Sequence, residues 1–494
     1  MMESVEASPL YPIANPKSIA LFGASNNATS MGTGLLGSLL ALGFKGEIYP
    51  IHPKEERVLN FNAYRSVLDL PKVPDLALIV LPTRLVPETM DACGRKGIKH
   101  AIVISGGFKE VGGEGINLEK ELVAVANKYG IRFLGPNCIG VANPRQKLNT
   151  TFMVFEGAPG FIGMASQSGS FVTQMFSYLS RHAIGFSTAF SVGNEANIDI
   201  VDCMEYLGAC PDTKVIALYI EGIRRGRAFV QMARSIAPKK PIVAFYIGGS
   251  ETGSRAGLSH TGALAGPDRL YEGIFRQAGI IRARSMMELF DICWMLGSFP
   301  RIAGRRVMIQ THSGGPGAEA ADACGRAGLE LPSLSPETIK SLSPFVPHTG
   351  SISNPLDFTF GKNITDYYWD IPKVLLEDKN TDVLLFYFSM SGGTLERTIR
   401  QLGFPPDQIA EKTVEMINLQ SDSIIRLLET HDKPFVGYTF LNLKDPLVSR
   451  LIERGVPIFP GPQRAARAIE AAYQYTGLRN KILASVSHEE ATSL

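Results

Sequence analysis

Short apolar runs recur along this chain, each closed by glycine or small hydroxyl residues and followed by a segment with helical spacing. The first, SIALFGAS (18–25), leads through small residues into a helix pattern over Thr33–Leu42, which Gly43 stops, and then into EIYPIHPK (47–54). DLALIVLP (75–82), a helix over Leu85–Lys96, HAIVISGGF (100–108), a helix over Leu118–Tyr129 and IRFLGPNCIGVANP (131–144) continue the series. Apolar runs of this length, alternating with helices, predict a parallel sheet covered on both faces. Around 143–160 the pattern lapses into a polar connector containing proline and glycine, which predicts a boundary.

The pattern resumes as a strand, the turn SQSGS and a helix over 161–183. GFSTAFSVGN (185–194), a helix over Ile200–Leu207, KVIALYIEGI (214–223), the buried strand Pro241–Ile247 and a helix over Asp268–Ala278 follow. A third region repeats this outline. RVMIQTHSGGPGAEAADACGRAG (306–328) answers 161–183, DVLLFYFSMSGG (382–393) answers 214–223, and PFVGYTFLN (434–442) answers 241–249. A helix over Gln463–Thr476 closes this copy, and ILASVSHEEATSL is expected to be a frayed tail. The expected architecture is α/β with three doubly wound domains, over 1–146, 147–300 and 301–480, with a tail over 481–494.

Composition narrows the function. At 494 residues the chain is too long for one core, and its formal charge of +2 with 19% charged residues provides no basic stripe for nucleic acid. The six cysteines are scattered without a CxxC pair, so neither a zinc site nor a disulfide framework is expected, and buried thiols suit a reducing cytoplasm. No leader pattern and no apolar run of about 18 residues stands out, so a cytoplasmic protein without a membrane or nucleic-acid partner is expected.

Candidate chemistry gathers where strands end. The loop GGSETGSRAGLSHTGALAG (248–266) has six glycines and carries His260 between two hydroxyls. It is either a nucleophile or proton carrier near neutral pH, or an incidental histidine on a surface loop. Glu221 ends the strand that should lie beside it; a carboxylate on one imidazole nitrogen fixes the tautomer, though a surface ion pair is the plainer reading. In the first domain the turn Gly23-Ala24-Ser25 at a helix start suits a phosphate-bearing ligand. It departs from GxGxxG, and the second strand ends in His52-Pro53-Lys54 where an NAD site needs an acid. Lys54 is a cation for a ligand richer in phosphate, such as coenzyme A, or a solvated lysine. Ser105, Gly106, Gly107 and Phe108, and Asn137 beside Cys138, follow strands at the same edge; Cys138 reads as a buried thiol better than as a nucleophile. Ser166, Gln167, Ser168 and Gly169 open one helix, and Ser313, Gly314 and Gly315 after His312 open another, each offering backbone N–H groups to an anion. Thr173 is a candidate lining residue for a carboxylic acid.

Taken together, SIALFGAS, GPNCIG, SQSGS, IEGI, SHTGALAG, THSGGPG, SNPLDFT (353–359) and GVPIFPGPQRAARAI (455–469) resemble the alpha subunit of ADP-forming acyl-CoA (acetyl-CoA) synthetases, relatives of succinyl-CoA synthetase. The resemblance covers about residues 15–478. It implies a Rossmann-like CoA-binding domain and two flavodoxin-like ligase domains, with His260 transiently phosphorylated and Glu221 positioning it. Coenzyme A would lie on Gly23, Ala24, Ser25, Lys54, Ser105, Gly106, Gly107, Phe108 and Asn137. Phosphate would meet the two helix starts, no metal would bind this chain, and ATP/ADP and Mg2+ would sit on a separate ATP-grasp beta subunit in an assembly such as α2β2. A small carboxylic acid is the implied substrate. Two other classes stay open: a CoA-binding sensor has no need of the His260–Glu221 pair, and an NAD oxidoreductase lacks the expected turn and acid.

Overall fold

The computed structural model describes residues 4–155, 157–249, 266–361 and 363–492. Three sheets, parallel but for one edge of the second, carry the fold. The first contains β1 (Ser18–Phe22), β2 (Glu47–Ile51), β3 (Leu76–Ile79), β4 (His100–Val103) and β5 (Arg132–Leu134), in the order β2-β1-β3-β4-β5. The second opens with an antiparallel edge, β6 (Val141–Asn143) and β7 (Leu148–Asn149), followed by β8 (Ile162–Ser166), β9 (Phe186–Ser191), β10 (Val215–Ile220), β11 (Ile242–Tyr246) and β12 (Ile281–Ala283). Its order is β12-β11-β10-β8-β9-β6-β7. The third contains β13 (Val307–Thr311), β14 (Leu356–Asp357), β15 (Val383–Phe388), β16 (Phe435–Thr439) and β17 (Ile458–Pro460), ordered β14-β13-β15-β16-β17.

Counting parallel strands alone, each sheet runs 2-1-3-4-5, the doubly wound order whose ligands collect at the carboxyl edge beside the first strand. The three-domain α/β expectation is therefore met. Two details differ. The chain enters the second sheet at Val141, ahead of the expected boundary at 146, because the left-handed turn Gly135–Asn137 ends β5 and the following apolar residues pair with β9. The expected frayed tail is instead helical. The last helix runs Pro462–Thr492, because no proline or second glycine interrupts it after Gly477 and Ile482 is buried.

The described residues form two compact units, one holding the first two sheets through Ser285 and one running from Met286 to Ala484 with the third. In the first unit a continuous apolar cluster joins Leu21, Leu36 and Leu78 to Phe190, Met204 and Leu218. Central strand β10 is buried at every residue, as a parallel strand covered on both faces requires. Each of Ile216, Leu218 and Ile220 contributes roughly 1.5–3 kcal/mol through burial. In the second unit, Gly314–Arg326 follows β13, and two helices, Gly392–Gln401 and Pro406–Thr430, occupy a stretch for which no element was predicted.

Candidate functional site

At the carboxyl edge of the first sheet, β1 ends in Gly23 with φ +92°; a Cβ there would lie 1.9 Å from the Val80 carbonyl oxygen, so only glycine fits. The turn delivers the chain to α1 (Met31–Leu42), where Ser30 caps the Thr33 N–H. Ser25 is fixed from both sides: its N–H donates to Thr33 Oγ1 at 3.1 Å, and Thr33 Oγ1 donates to its carbonyl at 2.7 Å. The N–H groups of Met31 and Gly32, at the helix start, have no acceptor within the helix.

Beside them is a cleft of about 530 Å3 lined by Met31, Val80–Thr83, Ile104–Gly106, Asn137–Ile139 and Phe152. Of the nine expected CoA residues, Ser105, Gly106 and Asn137 line it. The Ser105 hydroxyl stitches strand ends, accepting from Leu81 N at 3.0 Å and donating to Leu81 O at 2.6 Å. Gly107 and Phe108 give their N–H groups to Glu110 Oε1, at 2.5 and 3.2 Å, and the Phe108 ring is wholly buried. Ala24 is buried in the core. Lys54 is exposed beyond β2. An acid does stand one residue further on, but the Glu55 carboxylate is held by the backbone N–H and the side-chain amide of Asn26, so it braces the turn itself. Cys138 lines the cleft with its thiol turned to Val103 O and pushed up to about 12 by burial, which suits a packing role.

At the second sheet's edge, Ser166 is buried and its hydroxyl donates to Ser168 O at 2.6 Å, locking the turn into α2 (Gly169–Arg181). Ser168 Oγ lies 3.2 Å from Ser170 Oγ. The Gln167 amide is fully engaged. Oε1 accepts from Glu221 N and from Gly222 N, the latter at 3.0 Å, while Nε2 donates to Gly222 O at 2.7 Å and to Glu195 Oε2 at 2.8 Å. Glu221 is half-buried and its carboxylate hydrogen-bonds the Tyr219 hydroxyl, whose proton is held well above its ordinary range by burial and by that carboxylate. Tyr219 packs on Phe171 at 4.8 Å. Thr173 turns its hydroxyl to its own helix, at Ser170 O.

His260 lies outside the described residues; both stems of its loop lie within them. Strand β11 continues the ladder to Ile247, whose N–H donates to Ile220 O at 2.9 Å, one residue before Glu221. The returning stem is fastened by Tyr246, which donates to Gly266 O at 2.8 Å and stacks on Tyr271 at 3.6 Å; the Tyr271 hydroxyl accepts from Ile223 N at 3.3 Å. The loop thus leaves and re-enters beside the strand end that carries Glu221.

A polar turn behind these residues was not read from the sequence. Asn194 donates to Glu110 and Glu119 at 2.6 and 2.9 Å and accepts from Asn137 at 3.3 Å. Burial, against the Asn194 bond and with the nearby Glu110 charge, pushes Glu119 up to about 7. Glu195, left-handed at φ +52°, accepts from Ile200 N at 2.9 Å, and burial pushes its carboxyl up to about 8. The signal that could have found this turn is the run Gly193-Asn194-Glu195 directly after β9, a polar sequence at the edge where ligands collect.

At the third sheet's edge, Thr311 Oγ1 donates to Ser313 O at 2.8 Å, reproducing the Ser166 lock. Ser313 opens the helix Gly314–Arg326 without a side-chain cap bond. Asp357 Oδ2 lies 3.5 Å from where a Gly314 Cβ would stand, while Gly315 faces open space. His312 is half-buried against Phe358 and Tyr367, and burial holds it below its ordinary value.

Comparison with known proteins gives the class first. The family models matched are a CoA binding domain over residues 17–144, a succinyl-CoA ligase like flavodoxin domain over 159–296 and a Ligase-CoA domain over 307–392. The alpha subunit of ADP-forming acetate–CoA ligase II of Pyrococcus furiosus is 36% identical over 461 residues, 93% of this chain and 96% of that protein. The ADP-forming acetate–CoA ligase I of Archaeoglobus fulgidus is 37% identical over 468 residues, but the chain spans only 64% of its length. Acetyl-coenzyme A synthetase 1 of Ca. Korarchaeum cryptofilum, solved in complex with phosphate and ADP, superposes with a TM-score of 0.84 at 33% identity, covering 96% of this chain and 98% of that one. The chain belongs to the family of ADP-forming acetate–CoA ligase alpha subunits. Among the described residues no helix is long and apolar enough to cross a membrane.

Proposed function

We propose that this chain is the CoA-binding, phosphoryl-carrying half of an ADP-forming acyl-CoA ligase. Acyl-CoA and phosphate give an acyl phosphate and free thiol; His260 attacks phosphorus, releasing the carboxylic acid; ADP then removes the phosphoryl group as ATP. The observation that carries this reading is the pinning of both stems of the His260 loop beside the strand end bearing Glu221. On this reading Glu221 orients the imidazole, and the backbone N–H groups at Ser168 and Gly169 face the phosphoryl charge, which a helix start favours.

Coenzyme A fits the first sheet's cleft, whose apolar walls suit the pantetheine arm and whose Met31 and Gly32 N–H groups suit its phosphates. Lys54 supplies a cation at the same sheet edge. Nucleotide and Mg2+ are assigned to a separate ATP-grasp subunit, with α2β2 as the expected assembly. Support comes from the relatives named as alpha subunits, whose length this chain matches at 96% and 99%. A cytoplasmic setting accords with six free, buried thiols.

The test supplies the chain and its co-purified partner with acetyl-CoA, ADP and labelled inorganic phosphate. Acid-labile, base-stable label should map to His260, and His260→Ala should abolish both label and ATP formation without altering CoA binding. Label on a serine, or activity in the alanine variant, refutes the assignment.

A further inference from the structure

The carboxylate assigned to orient the histidine stands one residue beyond the last rung of β10, where the backbone ladder gives out. Strand β8 supplies one more backbone bond, from Gln167 N to Tyr219 O at 3.2 Å, and then turns off into α2. From there the side chain of Gln167 takes over. Its amide pairs with Gly222 at both N–H and carbonyl and accepts from Glu221 N, so it replaces the missing strand neighbour for two residues. The orientation of the amide is set by the backbone around it: Oε1 meets two N–H donors and Nε2 meets the Gly222 carbonyl, and a flipped amide would oppose all three. Glu195 completes the arrangement. Its Oε2 takes the second Nε2 proton, and its other oxygen takes Ile200 N. Glu195 itself is held by a left-handed turn whose carbonyls at 194 and 195 accept from Arg224 at 2.7 and 2.8 Å.

We propose that Gln167 and Glu195 are positioning residues, an amide and carboxyl that together hold the Glu221 backbone where its carboxylate can orient the phosphoryl-accepting histidine. Gln167, expected from the sequence to contact phosphate, directs three of its four amide hydrogen bonds at the strand end and the fourth at Glu195. The proposal rests on the phosphohistidine reading above. It extends that reading by assigning two residues that touch neither substrate nor the reacting atoms.

Gln167→Glu keeps the shape, sets an acceptor oxygen against Gly222 O and places two carboxyl groups side by side with Glu195. We expect the rate of label transfer from inorganic phosphate to the histidine, with acetyl-CoA and the partner chain present, to fall roughly 10- to 100-fold, the scale of a small misplacement at a reacting centre. KM for acetyl-CoA and CoA affinity should stay within about twofold, since the cleft lies on the first sheet. The exchange Gln167→Glu with Glu195→Gln restores an amide–carboxyl pair in place of two adjacent carboxyl groups and should recover at least a third of the lost rate on a logarithmic scale. A wild-type rate in Gln167→Glu overturns the proposal, as does a parallel loss of CoA affinity, which would indicate general disruption. An exchange variant no better than the single one removes Glu195 from the pair. Absence of histidine label in the wild-type chain would instead refute the functional reading, so the two failures are distinguishable.

Discussion

Replacing Glu195 by glutamine should remove a pH dependence of stability that the structure builds into the first unit. The carboxyl is buried, with Asp199 and Asp202 adding negative potential, and its value rises from an ordinary 4.5 to about 8. Arg224 Nε, 3.9 Å away, is too distant to hold it ionised against that burial. The folded chain therefore keeps this proton to about pH 8, whereas the unfolded chain releases it near 4.5. The stabilising effect is full below 4.5 and is lost as pH rises towards 8, at up to about 1.4 kcal/mol per pH unit. The full interval amounts to a ceiling on the order of 5 kcal/mol, which water entry and relaxation should reduce to roughly 2–3 kcal/mol. Glutamine has no proton to release, so Glu195→Gln should gain on the wild type between pH 5 and 9. Hydrogen-exchange protection of β8, β9 and β10, corrected for intrinsic rates, measures this locally. Glu119, which titrates near 7, contributes to both proteins and drops out of the difference. Curves that stay parallel across the interval, or a variant that loses stability at pH 9, would show that the carboxyl is not held neutral by its surroundings.

Two further outcomes can be checked directly. Lys54→Glu reverses a charge at the edge assigned to CoA phosphates and should weaken CoA binding by about 1–3 kcal/mol in calorimetry while His260 still takes phosphate from ATP and partner; unchanged affinity removes Lys54 from the site. Gly193→Ala places a Cβ 2.4 Å from the carbonyl oxygens of Pro136 and Asn137 at φ +54°, so exchange protection of β9 should fall by roughly 1–3 kcal/mol, and an unchanged value would mean the turn yields freely.

The parts of this fold legible in the sequence are those with local causes. Apolar runs bounded by glycine located the main strands, and the helix over Asp268–Ala278 stands where its period put it. Glu221 and the loop stems were foreseen at one edge because doubly wound topology puts every strand's carboxyl end there. The arrangement around Glu195 was not legible, for a physical reason. Residues 167, 195 and 221 meet only after three separate strands have paired, and a left-handed turn that aims one carboxyl inward leaves no periodic trace. Phe108, just after a strand and expected to contact coenzyme A, has its ring wholly buried in the core and gives its N–H to Glu110.

The partial duplication separates what shapes a turn from what serves chemistry. Ser166 donates to Ser168 O at 2.6 Å and Thr311 donates to Ser313 O at 2.8 Å, so a hydroxyl at the last strand position locks the same turn in both copies. Because both hydroxyls donate within that lock, neither is available to an anion at its helix start. Beyond the lock the copies diverge. Where the second sheet has Gln167 and Glu221, the third has His312 and Ser389, and His312 packs among aromatic rings where burial holds it below its ordinary value. Asp357 sits near Gly314 and already supplies negative charge to that helix start, the charge a macrodipole favours there. At the second sheet an amide clamp and a carboxylate at the strand end stand together, and there the histidine loop is fastened.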